Sequence, residues 1–157
     1  MTRGGYRMMT EIMDRHGYVI QPRDDLNGFD FDSSQLDGVD LSGRQMEGAI
    51  FSDASMANAN LEGSDLYWAS LFRTNLTNAN LKRTCLCGAN LKSANLCGSD
   101  LRGADFGPDK LNGATQLQGA NLSECLVAGA NFVGASYDRD TIFPVGFDPA
   151  CNGMVLV

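Results

Sequence analysis

Large apolar residues recur at every fifth position through most of the chain. In the stretch 79–106, ANLKRTCLCGANLKSANLCGSDLRGADF, they are Leu81, Leu86, Leu91, Leu96, Leu101 and Phe106. Neither regular period accounts for this. Five residues of α-helix turn through about 500°, so the leucines would spiral around the helix instead of forming a stripe. In an extended strand an odd spacing sends alternate leucines to opposite faces. A period of five faces inward only if the chain bends once per repeat, and that predicts a coil with short flat sides.

The central apolar positions run without a miss through Leu26, Phe31, Leu36, Leu41, Met46, Phe51, Met56, Leu61, Leu66, Leu71, Leu76, Leu81, Leu86, Leu91, Leu96, Leu101, Phe106 and Leu111. The register then slips by one residue and resumes at Leu117, Leu122, Val127, Phe132 and Tyr137, which makes twenty-three repeats. Two residues before each centre, from Ala49 to Ala104, stands only Ala, Ser or Thr. A two-residue offset puts that position on the same side of a short strand as the centre, and its small size fits a narrow interior. Asn or Asp before the centre (Asn60, Asn80, Asn90, Asp100) and Gly two after it (Gly48, Gly63, Gly88, Gly98) suit tight turns.

These two rules together resemble the pentapeptide-repeat family, whose pattern is roughly A(D/N)Lxx, over residues 24–138. The resemblance implies an all-β fold, a right-handed parallel β-helix of square cross-section with four repeats per coil. Centre and small residue then point inward, and Leu61 through Leu101 form the structural core. Just under six coils at about 4.8 Å per stacked strand give a rod roughly 27 Å long. Three domains are expected: an N-terminal cap at 1–23, the β-helix at 24–138 and a C-terminal cap or tail at 139–157.

The pattern has faults. In the first coil the small position holds Asp24, Phe29, Ser34, Val39 and Arg44. An inward Arg44 would be an unpaired buried charge, so distortion is expected there. The register slip, together with Pro108, predicts a bulge or small protruding loop near 107–116. At the N-terminus, Met8, Met9, Ile12 and Met13 share one face at helical spacing with Gly17 as a stop, which predicts a short helix lying as a lid over the first coil. At the other end, YDRDTIFPVGFDP (137–149) looks like the closing segment of cyanobacterial members of the family, and MVLV (154–157) adds a last strand or a dimer contact.

Composition and charge narrow the function. The net charge of −7 argues against a general nucleic-acid-binding surface. No apolar run reaches the length of a membrane span and no leader opens the chain, so a soluble, cytoplasmic protein is expected. With four repeats per coil, residues twenty apart stack and residues ten apart lie on opposite sides. Cys87 and Cys97 are therefore too far apart for a disulfide, while Cys125 occupies a small inward position as a buried hydrophobe. His16 is the only histidine and there is no CxxC pair, so neither a metal site nor a cofactor is expected, and no nucleophile–base arrangement suggests an enzyme.

What remains is the outer surface. Charge is banded: net −9 over 24–65, +4 over 66–104 and −4 over 105–157. Tyr67, Trp68 and Phe72 stand where most repeats place small or polar residues, beside Arg73 and Lys92. Stacking sets Trp68 between Gly48 and Gly88, its ring flat over bare backbone. That composition is typical of a protein-interaction hot spot, and the reading is a non-enzymatic scaffold for an unknown protein partner, as a monomer or a homodimer through one end of the rod. The resemblance also implies an alternative: some family members are taken to mimic B-DNA and bind a type II topoisomerase (gyrase). The acidic band of Asp30, Asp32, Asp37 and Asp40 would carry that role.

Overall fold

The computed structural model describes residues 12, 13, 16, 17, 19–21 and 25–157. Its organising element is a four-residue turn repeated along the rod. The N–H three residues after each centre returns to the centre's carbonyl, as Phe29 does to Leu26 at 3.1 Å and Ala69 to Leu66 at 3.0 Å. The third turn residue has positive φ, the condition for a type II turn. Before each centre the residue just ahead of it bridges to its counterpart in the next coil. Asp30–Ile50, Asn60–Asn80 and Cys85–Asp105 are all parallel and all twenty residues apart. Four five-residue repeats therefore close one coil, and the fold is a parallel β-helix solenoid with four walls.

Each wall buries one column. The first holds Leu26, Met46, Leu66, Leu86, Phe106 and Phe132, and the second Phe31, Phe51, Leu71, Leu91 and Leu117. The third holds Leu36, Met56, Leu76, Leu96 and Leu122, and the fourth Leu41, Leu61, Leu81 and Leu101. Every centre from Leu26 to Phe106 is buried, as is every small residue from Ala49 to Ala104. Where the small residue carries a hydroxyl, it donates to the carbonyl of a centre: in the coil below for Thr74 (Phe51, 2.7 Å), Thr84 (Leu61, 2.9 Å) and Ser99 (Leu76, 2.7 Å), and in its own coil for Ser64 (Leu61, 2.7 Å). A polar atom in the dry interior is thereby satisfied.

Two expectations about register change. Leu111 is not a centre; it is 82% exposed. Asn90 bridges Gln116, twenty-six residues on, and Asn95, Asp100 and Asp105 keep the same longer offset. The chain thus inserts six residues between Phe106 and Leu117, not one. An eleven-residue gap has the same phase whether read as two repeats plus one or one repeat plus six. After Tyr137 the coil continues with one extra residue, since Asn121 bridges Ile142, and Phe143 takes the next place. The closing segment ends in aromatic packing: Phe147 lies edge-on to Phe132 and stacks on Phe143, both at 5.2 Å between centroids. Strand β1 (Ser136–Tyr137) then pairs in parallel with β2 (Val155–Leu156), so MVLV does add a last strand.

Arg44 also departs from expectation. The small positions of the first coil and of the repeat that opens the second, Phe29, Ser34, Val39 and Arg44, are half-open at the end of the rod, and the Arg44 guanidinium reaches the Gln21 carbonyl at 3.2 Å. It is not an unpaired buried charge. The N-terminal helix expected over 5–17 lies largely outside the described residues, none of which is helical. At its end, Met13 forms an antiparallel bridge with Val19, and the Ile20 N–H donates to the Ile12 carbonyl at 2.7 Å. The chain is extended there because that pairing brings Ile12 and Ile20 against the core.

Candidate protein-binding face

The corner between the first and second walls carries Tyr67 and Trp68. Trp68 occupies the left-handed turn position at φ +56°, where the coils below and above it use Gly48 and Gly88. A bulky side chain rarely accepts that conformation. The indole lies over Gly88 as expected: a Cβ there would approach Trp68 Nε1 to 2.9 Å and Cδ1 to 3.0 Å. The ring is 52% exposed, yet it is held. Trp68 Nε1 donates to Asp109 Oδ2 at 2.6 Å, across 41 residues of sequence.

Asp109 belongs to the six-residue insertion and organises it. Its Oδ1 accepts the Leu111 N–H at 2.7 Å and the Gly113 N–H, while its own N–H donates to the Gly113 carbonyl at 3.0 Å. The side chain is buried, and these donors hold its carboxyl below the ordinary range against the opposing effect of desolvation. One carboxylate thus fixes both the loop and the tryptophan.

The next corner, across the second wall, carries Phe72, Arg73 and Lys92. Arg73 Nη2 pairs with Asp53 Oδ1 at 2.6 Å, and its guanidinium carbon lies 5.6 Å from the Phe72 ring centroid. The five predicted patch residues therefore occupy two adjacent corners that flank one wall, whose outward residues at this height are Ser70 and Asn90. The other cations of the basic waist are elsewhere. Lys82, Arg83 and Arg102 lie at the corner diagonally opposite Phe72 and adjacent to that of Trp68, around an open hollow of about 490 Å³ that Glu62 and Gly103 also line. There Arg102 grips Asp100 (Nε–Oδ1 2.9 Å, Nη2–Oδ2 2.7 Å), Lys82 Nζ stands 3.4 Å from the same carboxylate, and Arg83 pairs with Glu62. Both carboxylates at that corner are engaged by its cations.

The acidic band is spread over several sides of the rod and is busy locally. Asp30 Oδ1 accepts the Asp32 N–H at 3.0 Å, and Asp32 Oδ2 takes the Ser33 hydroxyl. Asp37 Oδ1 accepts the Ser55 hydroxyl at 2.6 Å and the Ala57 N–H at 2.9 Å. Asp40 Oδ1 accepts the Ser42 N–H and Asn60 Nδ2. These acids hold turns and neighbouring coils together, which a row of surface charges need not do.

Comparison with known proteins adds the family. The pentapeptide-repeats profile matches in eight copies over residues 25–53, 34–73, 49–86 and 74–107. The chain belongs to the pentapeptide-repeat family. Among solved structures of the family it is similar to HetL, a protein involved in heterocyst differentiation regulation in the cyanobacterium Nostoc sp. strain PCC 7120. The TM-score is 0.66 at 30% identity, covering 80% of this chain and 56% of HetL. This pentapeptide-repeat protein therefore spans little more than half of HetL's length. It is also similar in fold to Rfr23 from the cyanobacterium Cyanothece 51142, with TM-score 0.60, 24% identity and coverage of 71% and 88%. No curated protein matches it.

The thiols of this pentapeptide-repeat chain follow its geometry. Cys125 fills an inward small position and donates to the Leu96 carbonyl at 3.0 Å, and burial pushes its pKa up to about 12. Cys87 is also raised to about 12, first by desolvation and then by Cys85 beside it. Among the described residues no group of three His, Cys, Asp or Glu side chains is placed to hold a metal ion, and no helix is long and apolar enough to cross a membrane. Sequence reading missed Asp109, Lys110 and Leu111. The turn-rich run Pro108, Asp109, Asn112, Gly113 was the available signal, but its contact with Trp68 is long-range.

Proposed function

We propose that this chain is a non-enzymatic protein-interaction scaffold that presents Tyr67, Trp68, Phe72, Arg73 and Lys92 to a protein partner. One observation carries the reading: Trp68 is half exposed and yet locked by Asp109. An aromatic side chain already fixed in place loses little entropy on binding, and Phe72 with Arg73 over its ring flanks the same wall. The involvement of HetL in differentiation control supports a regulatory use of the fold.

Affinity capture from the native host tests this, with wild type compared to Trp68→Ala and Phe72→Ala. Each substitution should remove the captured partner while circular dichroism stays unchanged. A partner retained by both variants would overturn the assignment of the face. A supercoiling assay addresses duplex mimicry: no gyrase inhibition is expected at micromolar protein. Salt-sensitive inhibition lost on neutralising Asp30, Asp32, Asp37 and Asp40 in a still-folded variant would favour mimicry instead.

A further inference from the structure

The six-residue insertion brings outward residues of its own to the aromatic corner. Lys110 and Leu111 stand exposed at its tip, and Leu111 is 82% exposed in a chain whose repeat-phase leucines are buried. Leu111 is anchored through its backbone. The Leu111 N–H and the Trp68 indole N–H bind the two oxygens of the same Asp109 carboxylate, so the two apolar groups keep a fixed relation. Between them and the neighbouring corner, the outward charges at this height are Arg73, Lys92 and Lys110. At these corners the acids are Asp109, clasped inside the loop, and Asp53, paired with Arg73; Asp65 and Asp105 stand on the first wall beside the Trp68 corner, where their Oδ1 atoms accept the Tyr67 and Gly107 N–H groups. In a protein of net charge −7, the second wall at this height presents Lys92 and Lys110 at its two edges with no carboxylate among its outward residues Ser70 and Asn90, and apolar groups are held at one edge.

We infer that the insertion and the aromatic corner form one docking surface for an acidic protein segment bearing a large apolar side chain. The apolar side chain packs between Trp68 and Leu111, and the segment's carboxylates face Lys92 and Lys110. This rests on the scaffold reading above and adds the class of partner. Three cations are few for a nucleic-acid backbone, which the acidic remainder of the rod also repels, and a polyanion makes no use of an exposed leucine.

The test uses random peptides of about twelve residues displayed on phage and selected on the whole chain. Enriched sequences, synthesised without tryptophan and labelled with fluorescein, are then measured by anisotropy. Trp68 is the only tryptophan, so its emission reports contact directly. Enriched peptides should combine Asp or Glu with Leu, Ile or Phe, and binding should shift the Trp68 emission to the blue. Affinity should fall about tenfold or more in Lys92→Glu/Lys110→Glu, and clearly in Leu111→Ser, a surface change that leaves the fold intact. Absence of enrichment, enriched peptides without acidic bias, or unchanged affinity in the charge-reversed variant would overturn the inference. Binding lost in Trp68→Ala and Phe72→Ala but indifferent to Lys92, Lys110 and Leu111 overturns this inference alone. Binding indifferent to Trp68 and Phe72 overturns the scaffold face itself.

Discussion

The Asn or Asp ahead of each centre is turn chemistry. Its Oδ1 accepts the N–H two residues on, as Asn60 does from Glu62, Asn80 from Lys82 and Asp100 from Arg102. Its amide also reaches the coil below: Asn80 Nδ2 to Asn60 Oδ1 and Asn60 Nδ2 to Asp40 Oδ1, both at 3.0 Å. At Asp100 the Arg102 side chain, the Arg102 backbone N–H and Lys82 lower the pKa from 3.8 to about 2. A carboxyl depressed by folding stabilises the fold above its unfolded pKa, and the contribution fades as pH falls toward the folded value. Asp100→Asn keeps the turn acceptor but loses both cations. It should melt slightly below wild type at pH 7, by a small margin because the pair is solvent-screened, and the difference should vanish between about pH 4 and 2. Thermal melts across that range check it; a gap that persists at pH 2 would place the effect elsewhere. The turn role of this residue was legible in its spacing. The Trp68–Asp109 bond was not, since nothing local links residues 41 apart.

The coil sets which glycines matter. Gly98 has φ +72°, and a Cβ there would collide with Asn78 Oδ1 of the coil below. Gly63 has φ +66° with nothing within 4 Å. An alanine at either position meets the left-handed penalty of about 1 kcal/mol, but only at Gly98 must a neighbouring side chain also move. Gly98→Ala should therefore lose about 2 kcal/mol and Gly63→Ala about 1 kcal/mol in denaturant titration, and Asn78→Ala should bring the two together. Equal losses would show that stacking at the corners is loose. The six-residue insertion shows the limit of periodic reading. Leu111 sits at the right phase and has the right chemistry for a centre, and only its fixed turn with Asp109 takes it out of the column.

The whole rod is held by its columns. Leu81 lies fully buried between Leu61 and Leu101, and its N–H donates to the Asp100 carbonyl at 2.9 Å. Leu81→Asp strands a carboxylate in a dry interior and breaks the column in mid-rod, so it should cost more than about 4 kcal/mol and abolish the cooperative melt. A variant melting within a degree or two of wild type would mean that the register is wrong. This scale was the most legible, because two positional rules held over every repeat from Ala49 to Ala104. The first coil was the least so. Arg44 reads as a buried charge by phase, but at an open end it finds the Gln21 carbonyl.

The twenty-residue closure of the coil has a further consequence, for how such a chain can lengthen. Duplicating a single repeat between Asp53 and Tyr67 would keep every leucine inward and leave the core content, but everything downstream would rotate a quarter turn relative to everything upstream. Asp53 and Arg73 would no longer share a corner. Tyr67, Trp68 and Asp109 would still travel together, since all three lie above the duplication. Growth that preserves every outer face must come in whole coils, whereas growth by single repeats shuffles the surface at no expense to the interior. The interior and the exterior of this rod thus count in different units, five residues for one and twenty for the other.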